Sequence, residues 1–180
     1  VTTGMGRTGK WFGYQHYDIT PDVVVMGKGV GNGYPVSVAA FSPRALERMG
    51  ERQLKFSQSH QNDPLGAVIA AEVVKTIHDE NLIAKAGDDG AFLLEGLNRI
   101  KTETGAIREI RARGLMIALE LTDDENCTFS DSVHRELLKR GYIIARRPGL
   151  NVLRIDPPLT VEPSDLEKFL AALKDTLKTV

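Results

Sequence analysis

The sequence predicts an α/β protein shading into α+β, and three observations carry that prediction. Apolar runs of strand length alternate with segments of helical periodicity along all 180 residues, the pattern of mixed layers rather than of a bundle or a sandwich. One run, "DVVVMG" (22–27), is continuously apolar and ends in glycine, as a strand buried on both faces does. The composition, 42% hydrophobic and 26% charged, is that of a globular chain.

The elements follow in order. After "DVVVMG", "PVSVAAF" (35–41) is a second strand and "PRALERM" (43–49) a short helix with Pro43 in its first turn, where the missing N–H costs nothing. "PLGAVIAAEVVKTIH" (64–78) reads as a helix with Asp63 as N-cap and Pro64 at the first helical position. Being apolar nearly all round, it is expected between layers. "NLIAKAGDDGAFLLEGLNRIKTE" (81–103) is a long amphipathic connector. "GLMIALEL" (114–121) and "YIIAR" (142–146) read as strands around a helix, "SDSVHRELLKRG" (130–141), closed by Gly141. "NVLRIDPPL" (151–159) is extended and stopped by prolines. "EPSDLEKFLAALKDTL" (162–177) is a terminal helix, with Ser164 and Glu167 as a capping box. The change of texture near residue 80 divides the chain into lobes 1–80 and 81–180.

Charge and cysteine content exclude several functions. A net charge of -1 from 23 basic and 24 acidic side chains leaves no electrostatic footprint for nucleic acid or an anionic membrane. No apolar run approaches the roughly 20 residues that span a bilayer. A single cysteine, Cys127, excludes an intramolecular disulfide and points to a reducing, cytoplasmic compartment. "VTTGMGRTGK" lacks both Met and an apolar core, so it reads as a cut inside a longer protein.

Two glycine-lysine pairs invite chemistry. "GMGRTGKW" (4–11) spells GxxxxGK, but a phosphate loop needs a strand before it, a helix after it and Ser or Thr behind the lysine. Trp11 follows Lys10, and "WFGYQHYDITPD" makes a poor helix; the segment reads as a glycine-rich turn. Lys28 follows an apolar run and leads into "GVGNGYP". At the carboxyl end of a buried strand it would project into the ligand crevice of an α/β sheet. Desolvation there lowers an amine's pKa and prepares it to hold an aldehyde cofactor as a Schiff base. The alternative is a lysine that snorkels from the strand end into water.

Four segments, "TGMGRTGKWFGYQHYDITPD" (3–22), "GKGVGNGYPVSV" (27–38), "SHQNDPLGA" (59–67) and "LRIDPPLTV" (153–161), resemble in order and spacing the motifs of the class III (omega) aminotransferases. These are pyridoxal 5'-phosphate enzymes of fold type I, and the resemblance covers essentially the whole chain. It implies that 1–80 is the C-terminal part of the large cofactor-binding domain. Residues 81–180 are then the connector helix and the α+β small domain. It assigns Lys28 to the cofactor Schiff base and to proton transfer between substrate Cα and cofactor C4′. It assigns Ser59, where the family has threonine, to the cofactor phosphate of a neighbouring subunit. It assigns Arg154 to a substrate carboxylate, a task suited to a guanidinium fork. Arg7 has a structural place in the turn, and no metal is implied.

The implied reaction is transamination of an amino acid or omega-amino acid with a 2-oxo acid, 2-oxoglutarate or pyruvate, in a homodimer with a shared active site. An aminomutase or decarboxylase of the same family, or a fragment competent only with an N-terminal half, are the alternatives. Thr2 stands where the family has Gln, Gly27 where it has Ser, and His60 where an aromatic is common. The aspartate that faces the pyridinium nitrogen lies, in the family, just upstream of Val1.

Overall fold

A computed structural model describes residues 1–51, 57–122 and 126–180, and the chain divides into two compact units, Val1–Ile83 and Ala84–Val180.

In the first unit, strands β1 (Val23–Met26) and β2 (Val38–Phe41) form a two-stranded antiparallel ribbon, with Val23 opposite Phe41 and Met26 opposite Val38. The expectation of a strand buried on both faces is not met, since Val23 and Val25 are 43% and 62% exposed. A four-residue apolar run fixes extended backbone but not its neighbours, and among the described residues only β2 pairs with it. Helix α1 (Pro43–Met49) starts where Ser42 Oγ accepts from the Ala45 N–H at 3.1 Å. Asp22 braces this start, accepting from Arg44 Nε at 2.7 Å and from Ser42 Oγ at 3.2 Å. Helix α2 (Pro64–Asp79) has Asp63 as its N-cap, accepting from the N–H groups of Leu65 and Gly66. Gly66, Ala70 and Ile77 are buried, whereas Leu65, Val68 and Val74 stay exposed, so within this unit α2 covers one face rather than lying between layers.

The second unit is a four-stranded antiparallel sheet, ordered β3 (Ile107–Arg113), β4 (Met116–Leu121), β6 (Val152–Ile155) and β5 (Ala145–Arg146). Alternation along β4 buries Ile117, Leu119 and Leu121, and register sets Ile117 against Ile155 and Leu119 against Leu153. That apolar face joins one core with Leu93, Leu97 and Ile100 of α3 (Leu82–Thr104), Val133 and Leu137 of α4 (Thr128–Lys139), and Leu166, Leu173 and Leu177 of α5 (Pro163–Thr179). Each fully buried aliphatic side chain stabilises the fold by about 1.5–3 kcal/mol.

Several elements differ from expectation. β3 is absent from the sequence reading because a register shift between Ile107 and Glu109 breaks the alternation that marks strands. "YIIAR" narrows to the two residues of β5. Helix α5 begins at Pro163 after Glu162, with no side-chain cap, instead of after Ser164: proline's preset φ favours the first helical position. Among the described residues, no helix is long and apolar enough to cross a membrane.

Two positions on α3 calibrate this packing. A Cβ at Gly90 would lie 2.4 Å from the Gly114 backbone in the β3–β4 turn, whereas one at Gly87 would meet nothing within 4 Å. Gly87→Ala is expected to stabilise by roughly 0.5–1 kcal/mol, and Gly90→Ala to destabilise by about 1–3 kcal/mol. Leu119→Ala should cost about 2–5 kcal/mol. Urea midpoints rank the three, and a midpoint raised by Gly90→Ala would contradict the close approach.

Candidate active site

The first glycine-lysine segment is a closed loop. A bridge between Gly4 and Phe12 ties its ends, and the Gly6 N–H donates to the Trp11 carbonyl at 3.4 Å. A 3-10 turn, Gly13–His16, follows instead of an α-helix. Lys10 Nζ donates to the Gln15 carbonyl at 2.8 Å, and Phe12 stacks on Tyr14 at 5.5 Å. Lacking a helix N-terminus after the lysine, the loop has no geometry for a phosphate cradle. Its inward side chains include Met5 and Thr8, 7% and 5% exposed.

Met5 packs beside the second glycine-lysine. Lys28 leaves β1 through Gly27 and opens a 3-10 turn, Lys28–Gly31, with φ at 51°. A non-glycine residue in this left-handed region costs about 1–2 kcal/mol and persists only where surroundings impose it. Here a Cβ at Gly29 would sit 3.4 Å from Met5 Cβ, and one at Gly31 only 2.7 Å from Val36 Cγ1. Val30 between them is 2% exposed. The turn is therefore clamped from both sides, and the Lys28 side chain stands exposed. The expected desolvation of Lys28 is not met among the described residues. A hollow of about 190 Å³, lined by Met5, Phe12, Tyr14, Val24, Met26 and Gly27, extends along β1 as far as the residue before the lysine.

Ser59 lies in an exposed turn leading into α2, where Gln61 N–H donates to the Gln58 carbonyl at 3.1 Å and Asp63 N–H to the His60 carbonyl at 3.4 Å. A contact the sequence reading missed joins this turn to the lysine loop: Tyr34 Oη donates to Asp63 Oδ2 at 2.7 Å. Asp63 thus caps α2 and anchors "GYP" at once. The Tyr34 hydroxyl foremost, then the N–H groups of Gly66 and Leu65 and the charge of His60, hold the Asp63 carboxyl below its ordinary range against partial desolvation. The same bond raises the Tyr34 hydroxyl. The only sequence signal was a tyrosine between glycine and proline beside the lysine loop.

Arg154 belongs to the second unit. Its β6 neighbours Leu153 and Ile155 are buried, so Arg154 lies on the opposite face of the sheet. Register sets it between Ala118 of β4 and Ala145 of β5, with Arg111 of β3 opposite Ala118. Arg154 Nη2 donates to Asp156 Oδ2 at 2.5 Å, while its buried Nε has no partner among the described residues. Arg111 is engaged by Glu120 at 2.8 Å, which holds the Glu120 carboxyl below its ordinary range. Among the described residues no three His, Cys, Asp or Glu side chains gather as a metal site.

The Tyr34–Asp63 bond makes a pH prediction. A depressed folded pKa means the carboxylate's contribution is present above its unfolded pKa and lost as pH falls through the folded value. Tyr34→Phe removes the largest cause. Asp63 should then titrate closer to the ordinary carboxylate range, and the first unit should lose stability at neutral pH while its further loss in acid shrinks. Side-chain carboxyl NMR reads the titration; an unmoved Asp63 would contradict the assignment.

Comparison with known proteins places this geometry. The family described as Aminotransferase class-III matches residues 1–177. An acetylornithine aminotransferase from Caldanaerobacter subterraneus subsp. tengcongensis is 29% identical, the alignment covering 100% of this chain and 44% of that protein. A leucine/methionine racemase from Thermococcus litoralis is 30% identical over 100% of this chain and 41% of its own length. The crystal structure of a transaminase from the marine bacterium Virgibacillus superposes with a TM-score of 0.92 at 27% identity, covering 99% of this chain and 43% of that one. The chain thus spans less than half the length of these relatives, and its α/β fold is a partial form of the fold type I transaminase architecture. A clamped lysine turn at a strand end, motifs in series and a match along nearly every residue lead to one conclusion: the chain belongs to the class III aminotransferases.

Proposed function

We propose that this chain is the C-terminal half of a pyridoxal 5'-phosphate-dependent aminotransferase, with Lys28 as the residue that holds the cofactor. Residues 1–80 would belong to the large cofactor-binding domain and 81–180 to the connector helix and small domain. The observation that carries the reading is the turn at Lys28: an exposed amine on left-handed backbone, clamped by Met5 and Val36, beside a concave surface. That donor set fits an aldehyde cofactor at its point of attachment. When bound, such a cofactor supplies an electron sink for the substrate Cα–H bond.

The chain's own residues divide the remaining work. Lys28 would hold the cofactor through Nζ, and its amine would serve as the base that moves the substrate Cα proton. Ser59 would help hold the phosphate of a neighbouring subunit's cofactor through Oγ, so that a homodimer would be the working unit. Arg154 meets the substrate carboxylate with its guanidinium. The substrates are an amino acid or omega-amino acid and a 2-oxo acid, 2-oxoglutarate or pyruvate, and the setting is the cytoplasm. A second reading keeps Lys28 and changes the reaction, to isomerisation or decarboxylation of a single amino acid. The racemase among the relatives favours weighing it. Product analysis with one amino acid and no 2-oxo acid separates the two.

The full-length protein loaded with pyridoxal phosphate is expected to show a visible absorbance band that Lys28→Ala abolishes; a band surviving that substitution sinks the assignment. The 180-residue chain alone should bind the cofactor weakly, and tight stoichiometric binding would contradict its role as a half.

A further inference from the structure

We infer that Asp156 is a specificity-determining residue: it is the resident counter-ion of Arg154, and every carboxylate ligand of that arginine competes with it. This rests on Arg154 being the carboxylate site proposed above.

The geometry begins with strand periodicity. Arg154 and Asp156 are two residues apart, so they share a face wherever the backbone stays extended. β6 ends at Ile155, but Pro157 follows Asp156 and biases the residue before it toward extended backbone. The carboxylate is thereby kept on the arginine's face, and Asp156 Oδ2 accepts from Arg154 Nη2 at 2.5 Å. The lateral neighbours of Arg154 are Ala118 and Ala145, which have no polar group to offer. Glu120, two residues along β4 from Ala118, is taken by Arg111 and Arg108.

The pair is half open to solvent, with side-chain exposures of 42% for Arg154 and 24% for Asp156. Only one nitrogen of the fork is engaged by Asp156, and the buried Nε has no partner among the described residues. An orphaned donor beside an occupied one is an incomplete arrangement. A ligand carboxylate completes it by taking Nε together with Nη2, and to do so it displaces Asp156. Asp156 therefore lowers the affinity of the site for acids and sets how much a second carboxylate on the ligand is worth. Since exposed ion pairs are individually weak, the expected effect is about threefold to tenfold in affinity.

The test uses the 180-residue chain with glutarate, an unreactive dicarboxylate, at low ionic strength, where screening is small. The Arg154 Nε–H resonance, identified by its loss in Arg154→Met, reports binding, and thermal unfolding confirms that each variant is folded. Asp156→Asn is expected to tighten glutarate binding about threefold to tenfold, with Asp156→Ser doing the same and Asp156→Glu leaving it near wild type. Arg154→Met in the Asp156→Asn background should abolish the gain. Binding that depends on Arg154 but is the same with Asp156 and Asn overturns this inference alone. Glutarate binding with no dependence on Arg154, or none in any variant, overturns the carboxylate role of Arg154 as well.

Discussion

The backbone at Lys28 is the constraint from which the rest of the candidate site follows. A lysine at φ 51° is costly on its own, and here it is followed by a packed turn with one tight approach, at Gly31. Met5 packs against Gly29 at ordinary contact distance, and Val36 closes on Gly31 at a spacing that leaves almost no room for a side chain. The first glycine-lysine segment therefore matters for where it puts Met5, not for its own lysine. Lys10 is spent on the Gln15 carbonyl, and the loop that carries it serves as one jaw of the clamp.

From that turn the structure extends in one direction through "GYP". Tyr34 reaches Asp63, Asp63 caps α2, and the turn bearing Ser59 leads into the cap. A single carboxylate thus links the lysine loop to the start of a helix. In the second unit the comparable constraint is the alternation of β4 and β6. Burial of Leu153 and Ile155 leaves Arg154 on the other face, and two alanines beside it leave its charge to be met from along its own strand.

What could be read from the sequence divides along physical lines. Local chemistry was legible: Asp63–Pro64 and Pro43 announce helix starts, and the structure has both. Elements whose pattern is interrupted were not. The bulge after Ile107 hid β3, and Pro163 overrode the apparent cap at Ser164. Burial was misjudged at Val23, Val25 and Val68, because periodicity tells which residues are apolar but not what covers them. At the site, Lys28 is singled out by its place after an apolar run, and Ser59 and Arg154 are assigned by resemblance, whereas Tyr34–Asp63 and Arg154–Asp156 are pairings between ordinary residues that no motif marks.

The central claim is that Lys28, and not Lys10, carries the chemistry. The most direct measurement is reduction of the cofactor-loaded full-length protein with borohydride, followed by mapping of the modified peptide by mass spectrometry. The account predicts a pyridoxyl label confined to Lys28. A label on Lys10, or one scattered over several lysines, would contradict it.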